Sequence, residues 1–328
     1  MDKDLLVGID LGGTKIAAGV VDRSGQLLSK ATRDTQAERG AEAVAATIQE
    51  AIAAALAQVK DGDARLLGIG VGVPGLADVD AGLVLFAPNL NWQSVPLAAL
   101  LRTHREVPVY LDNDANAAAL GEQWVGAGRG VKDMILLTLG TGVGGGLIFD
   151  GQVYQGTAGY AGEIGHMAMT EDGPLCGCGR RGCLETYASA TAVIREAREA
   201  LERGEETSIK ALAAASSRGL EAKTVFVAAA QGDKVAAAIT DKLVRYLGLA
   251  IANLVNILNP EIVVVGGGVA AAGDQLLVPL RAAVHRRALA GPAQSAAIIG
   301  AQLGNDAGII GAASLVIRGR SDKYHVNV

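Results

Sequence analysis

LLVGIDLGGTKIAAGVV, residues 5–21, and DMILLTLGTGVGGGLIF, residues 133–149, follow one plan: an apolar run, a turn holding glycine and threonine, and a second apolar run. Each predicts a β-hairpin, because apolar runs flanking a short glycine turn are the signature of one. Taken singly, Gly12-Gly13-Thr14 reads first as a plain hairpin turn and second as an anion-binding one. The repetition decides between them: two such hairpins about one domain length apart predict duplicated α/β lobes facing each other across a phosphate. Gly12 and Gly13 would let main-chain N–H groups approach an anion, Thr14 adds a hydroxyl and Lys15 a charge. Thr141 and Gly142 hold the matching places in the second copy.

Working outward from the first copy, Gln26 to Thr32 predicts a third strand of a meander. Glu38 to Val59 predicts an amphipathic helix from Val44, Ile48, Ile52 and Leu56 at helical spacing. Leu66 to Val73 reads as a buried strand running into the turn GVPG, residues 72–75, at the strand end where α/β sheets bind ligands. PNLNW, residues 88–92, either reaches into the cleft expected between two lobes or caps a loop. Val107 to Leu111 predicts a strand that stops at Asp112-Asn113-Asp114, before a helix starting near Ala115. There a carboxylate serves either as helix N-cap, from Asp112 or Asp114, or as a catalytic group. Glu261 to Val269 predicts a strand entering a glycine loop, which either passes under a nucleotide or makes a tight turn. Ile298 and Ile299 form a short strand, and Asp306 to Ile317 a terminal helix expected to return to the first lobe.

All three cysteines lie between residues 176 and 183, and His166 precedes them, giving H-x9-C-x-C-x4-C. One imidazole and three thiolates suit a closed tetrahedral zinc site. The chain has 328 residues, enough for two domains, and is 50% hydrophobic and 19% charged, the balance of a globular protein. Its formal net charge of −5 and the lack of a Lys/Arg-rich run argue against nucleic acid. No stretch reads as a membrane helix, since Ala81 to Leu101 is broken by Pro88, Asn89, Asn91, Gln93 and Pro96. The N-terminus is unlike a signal peptide, so a cytoplasmic location is expected.

DLGGTK (10–15), DNDANAAALGE (112–122), LGTGVGGG (139–146), GEIGH (162–166), CGCGRRGCLE (176–185) and VVVGGGV (263–269) together resemble the ROK family of sugar kinases and related repressors. The motifs run in order over almost the whole chain, and PNLNW resembles the glucokinase branch. The resemblance implies a two-lobed actin-like, hexokinase-like (ribonuclease H-like) α/β fold with a zinc-stapled loop. The small lobe would comprise residues 1–112 plus 301–328, and the large lobe 113–300 with the zinc site. It implies transfer of phosphate from ATP, with Mg²⁺, to the 6-hydroxyl of a hexose. Asp114 would be the catalytic base, with Gly75, Asn89, Asn113, Glu163 and Glu185 binding sugar. His166, Cys176, Cys178 and Cys183 would hold a structural zinc ion, His166 touching the sugar as well. Gly12, Gly13, Thr14, Lys15, Thr141 and Gly142 fall to the phosphates, Gly266 and Gly267 to the nucleotide, and Asp10 to Mg²⁺. Repressors of the family carry a helix-turn-helix ahead of the first glycine motif, for which a motif at residue 10 is expected to leave no room. Alternatives are a kinase for N-acetylmannosamine, N-acetylglucosamine or fructose, polyphosphate as donor, or a sugar-sensing protein without catalysis. A homodimer or homotetramer is expected.

Overall fold

The computed structural model describes residues 4–60, 64–102 and 107–319. Its elements alternate between strand and helix. β1(Asp4–Leu11), β2(Lys15–Asp22) and β3(Leu27–Asp34) form the expected meander, followed by α1(Ala41–Leu56) and β4(Arg65–Val73). Three short strands come next, β5(Leu76–Asp78), β6(Leu83–Ala87) and β7(Trp92–Val95), then α2(Leu97–Arg102), β8(Val109–Asn113) and α3(Asp114–Val125). The second hairpin is β9(Met134–Leu139) and β10(Val143–Phe149), with β11(Gln152–Val153) after it. Among the described residues eight α-helices and two strands follow: α4(Glu185–Ala188), α5(Ala190–Glu202), α6(Ile209–Ala215), α7(Ala222–Ala230), α8(Lys234–Leu258), β12(Ile262–Gly266), α9(Asp274–His285), α10(Ala290–Ser295), β13(Ala297–Gly300) and α11(Ala307–Arg318).

The duplication seen in the sequence is a duplication of topology. One five-stranded sheet runs β3-β2-β1-β4-β8 and the other β11-β10-β9-β12-β13, the same order with the hairpin in the same place. In the first, β1 pairs antiparallel with β2 and parallel with β4, which pairs parallel with β8; in the second, β12 lies parallel between β9 and β13. This is the doubled α/β plan of the expected fold.

The chain forms two compact units: Met1–Val131 with Gly146–Ala161 and Gln302–Val328, and Lys132–Gly145 with Gly162–Ala301. The terminal helix α11 belongs to the first, as expected. Residues 113–131 also belong there, whereas the resemblance divided the chain at 112/113. The reason is packing, since the main chain of Gly311 on α11 meets α3 so closely that an added Cβ would stand 1.6 Å from the Ala117 carbonyl.

Within the first unit the sheet is covered on both faces. Leu5, Val7 and Ile9 of β1 join Val44, Ile48 and Ile52 of α1 in one core, while Leu6 meets Ile310, Ala313 and Val316 of α11 in another. Successive strand residues point to opposite faces, so a strand covered twice reads as a continuous apolar run. Gly8 and Gly70 make room for α11, because a Cβ on either would lie 1.8 Å from the Ile309 or Ala312 carbonyl. The helix expected over 38–59 is interrupted at Gly40, whose φ of 87° separates a 3₁₀ turn, Ala37–Arg39, from α1. PNLNW neither caps a simple loop nor stays irregular: Pro88–Leu90 is a 3₁₀ turn, and Trp92 opens the edge strand of a three-stranded sheet, β5-β6-β7. That sheet had no clear alternating signal of its own.

Candidate active site and metal centre

In the first unit the turn from Gly12 to Lys15 is tightly held. The Gly12 N–H donates to the Lys15 carbonyl at 2.9 Å, closing the hairpin, and the buried Thr35 donates its hydroxyl to the Gly12 carbonyl at 2.7 Å. The Thr35 N–H also donates to the Thr14 carbonyl at 2.9 Å. Sequence reading missed Thr35, since nothing near it marks a contact more than 20 residues away. Thr14 and Lys15 are exposed. Gly13 lies against Asn89, with space for a Cβ only 3.1 Å from that of Asn89, so the turn and PNLNW come together. Asp10, the penultimate residue of β1, lies beside Gly308 of α11. Burial raises its carboxyl above the usual range, with Lys30 opposing.

β8 reaches two residues further than expected, so Asp112 and Asn113 are still strand. Asn113, not Asp112 or Asp114, is the N-cap of α3: its Oδ1 accepts the Ala115 and Asn116 N–H groups at 2.8 and 3.3 Å. Its Nδ2 donates to the Gly75 carbonyl at 3.0 Å, bringing the predicted residues Gly75, Asn113 and Asp114 to one strand end. An amide carries two N–H donors, so one remains for a ligand. Asp112 could not cap, because its side chain is buried and committed to Asn116 and Gln155. Asp114 opens α3, its Oδ1 accepting the Ala115 N–H at 2.8 Å. An anionic side chain is favoured there by the unpaired N–H groups of a helix start.

In the second unit the four predicted metal ligands converge. The ligand atoms of His166, Cys176, Cys178 and Cys183 all lie within 4.8 Å of one another. His166 Nδ1 is 3.6 Å from Cys176 Sγ, and Cys178 Sγ is 3.7 Å from Cys183 Sγ. Zinc bonds of ordinary length at tetrahedral angles put N–S and S–S pairs roughly 3.6 and 3.8 Å apart, so the donor set fits a structural zinc site. The loop is built for it: Cys176 N–H donates to the Arg180 carbonyl and Gly179 N–H to that of Cys176, at 2.8 and 2.9 Å. Burial pushes the Cys176 thiol up, whereas the Arg180 N–H holds the exposed Cys178 down to about 7. With Nδ1 towards the cluster, His166 Nε2 faces Glu163, 3.8 Å from its Oε2. Tyr187, missed in the sequence, bonds Thr170 at 2.7 Å and stacks on Tyr246, anchoring the loop to α8.

Glu185 joins this centre to the second glycine turn. Cys176 Sγ donates to its Oε1 at 2.8 Å, while a Cβ on Gly142 would stand 2.6 Å from its Oε2. Thr141 in that turn is exposed. Gly267, at φ 84°, lies directly on Leu139 at the end of β9, where any Cβ would meet main chain at 2.6 Å. Gly267 therefore packs on the strand end that leads into the 140–142 turn. Glu163 is exposed and Glu185 partly so, leaving carboxylate oxygens open to hydroxyl donors.

Comparison with known proteins agrees with this arrangement. The chain is 44% identical over 311 residues to a glucokinase of Halalkalibacterium halodurans, covering 94% of each chain. It is 42% identical to a glucokinase of Thermotoga maritima, over 96% of this chain and 98% of that one. A ROK family glucokinase from Streptomyces griseus, solved with glucose and AMPPNP, superposes with a TM-score of 0.84 at 40% identity, over 96% of this chain and all of that one. The model of the ROK family matches residues 6–319, and the chain belongs to that family.

Proposed function

We infer that the protein is an ATP-dependent glucokinase that phosphorylates the 6-hydroxyl of glucose. The observation that carries this reading is the placement of Glu185 against both the Gly142 turn and the His166–Cys176 pair, in a chain resembling glucokinases along nearly its whole length. Asp114 would accept the hydroxyl proton as the sugar oxygen bonds to the γ-phosphorus and ADP leaves. Asn113 offers its spare N–H beside the Gly75 main chain, which supports assigning both to sugar, and Asn89, seated against Gly13, would join them. Glu163, His166 Nε2 and Glu185 would hold further hydroxyls. Analogues lacking a hydroxyl then leave a carboxylate unpaired. N–H groups of Gly13, Thr14, Thr141 and Gly142, with Lys15, would stabilise the phosphates, whereas the Gly12 N–H is spent on the Lys15 carbonyl and Gly12 would serve only to shape the turn; Gly266–Gly267 would lie along the nucleotide.

Mg²⁺, held by ATP and Asp10, would neutralise charge on the phosphates. Zinc with four protein ligands has no open position, so it would fix Glu163, His166 and Glu185 in place. Initial rates with glucose, N-acetylmannosamine, N-acetylglucosamine and fructose, crossed against ATP, ADP and polyphosphate, test the assignment. Preference for another sugar or donor would overturn it. Among the described residues no helix is long and apolar enough to cross a membrane, which is compatible with the cytoplasmic location we propose. Exposed Ile257, Val278 and Leu289 in the second unit support a homodimer or homotetramer, to be checked by sedimentation.

A further inference from the structure

Asp112 immediately precedes Asn113 and Asp114 and has no part in the mechanism above. It is 4% exposed. Its Oδ1 accepts the Asn113 main-chain N–H at 2.7 Å and Asn116 Nδ2 at 2.9 Å, and its Oδ2 accepts Gln155 Nε2 at 3.0 Å. Burial raises its carboxyl, with those three donors opposing. A buried ionisable group is a poor device for stability, since apolar replacements of similar volume are often as good. What this carboxylate does supply is direction. It grips the peptide between itself and Asn113, the first turn of α3, and a segment 43 residues further on.

The Gln155 carbonyl accepts the Ala161 N–H at 3.0 Å, which holds the main chain, while its side-chain amide donates to Asp112. A cavity of about 390 Å³ lies beside it, lined by Asp112, Gln155, Leu111, Val153, Arg102 and Arg318 among others, so the hydrogen bond rather than close packing keeps the amide in place. The Asn113 side chain is fixed in turn by Gly75 and by the helix it caps. The strand end that presents Asp114 is thus tied at three points, to the loop after β4, to α3 and to the segment after β11.

We propose that Asp112 is a positioning residue for phosphoryl transfer: through Asn113, Asn116 and Gln155 it sets the orientation in which Asp114 meets the sugar hydroxyl. This rests on the glucokinase reading and deepens it. Transfer is steep in geometry, a misplacement of about 1 Å costing on the order of 100-fold.

The test compares wild type with Asp112→Asn, Asp112→Ala and Gln155→Ala, assayed well below each melting temperature. Asparagine keeps an oxygen for Asn113 and Asn116, and Gln155 can turn its amide over to accept from the new Nδ2. Asp112→Asn should therefore retain kcat within about threefold, while Asp112→Ala loses roughly 10- to 100-fold in kcat with a smaller change in glucose KM. Gln155→Ala should lose roughly threefold or more in kcat at an unchanged melting temperature. Its Asn113 amide should exchange hydrogen faster, a readout that does not need activity. A folded Asp112→Ala with wild-type kcat overturns the proposal, as does an Asp112→Asn as impaired as the alanine variant, which would mean that charge and not geometry matters. Should Asp112→Ala fail to fold, Gln155→Ala decides: wild-type kcat with unchanged exchange at Asn113 refutes positioning. An inactive wild type would instead sink the glucokinase reading, leaving the exchange measurement to judge Asp112.

Discussion

Gly142→Ala should damage sugar binding without unfolding the protein. A Cβ at residue 142 would stand 2.6 Å from Glu185 Oε2, and its next neighbour is Glu185 Cδ at 3.8 Å, so the only group in the way is the end of a side chain. Restoring ordinary contact near 3.4 Å moves that oxygen by about 0.8 Å. A hydrogen bond to glucose of about 2.8 Å would stretch to about 3.6 Å, beyond any useful bond. Losing one bond to a charged group costs about 1.5–3 kcal/mol, or roughly 10- to 150-fold in glucose affinity. Titration calorimetry for glucose, initial rates for KM and thermal melting measure the effect, with melting expected to change little. Because the methyl acts only through Glu185, the same substitution in a Glu185→Ala background should cost almost nothing further. Additive losses in the double variant, or a glucose affinity within twofold of wild type in the single one, would refute the placement of Glu185 as a sugar ligand.

Asp114→Asn should leave glucose affinity within several-fold and lower kcat by at least about 100-fold, as removal of a general base does; near wild-type turnover removes Asp114 from that role. Cys178→Ser should lower zinc content, measured by elemental analysis, and raise KM for glucose far more than KM for ATP, because one thiolate leaves the set that steadies Glu163 and Glu185. A fully active wild type without zinc would refute the staple. Asp233, the N-cap of α8, has its carboxyl held well below the usual range: burial pushes up, but the Ala236 and Ser208 N–H groups and the Thr207 and Ser208 hydroxyls outweigh it. A group depressed on folding contributes stability above its unfolded pKa and loses it on acidification, so melting temperature should fall below about pH 4. In Asp233→Asn that fall should be shallower; an identical pH profile would show that the cap does not titrate as argued.

Much of this molecule is legible one segment at a time. Leu5 to Val21 and Met134 to Phe149 form hairpins because apolar runs around glycine have few other local solutions, and their repetition carries through to matching sheet orders. The zinc ligands were legible too, since three cysteines within eight residues of chain can hardly avoid one another. Which carboxylate does what at DND was not. Asp112, Asn113 and Asp114 are equally good caps by local preference. Asn113 takes the cap because Asp112 is turned inward to Gln155, a partner supplied from beyond the second hairpin. Likewise Thr35 on Gly12, Asn89 on Gly13 and Glu185 on Gly142 join residues with no sequence signal linking them. Backbone sterics and hydrophobic period act over a few residues and so are written in any short stretch. Side-chain partners depend on which remote segments packing brings within about 3 Å, and only the folded chain decides that.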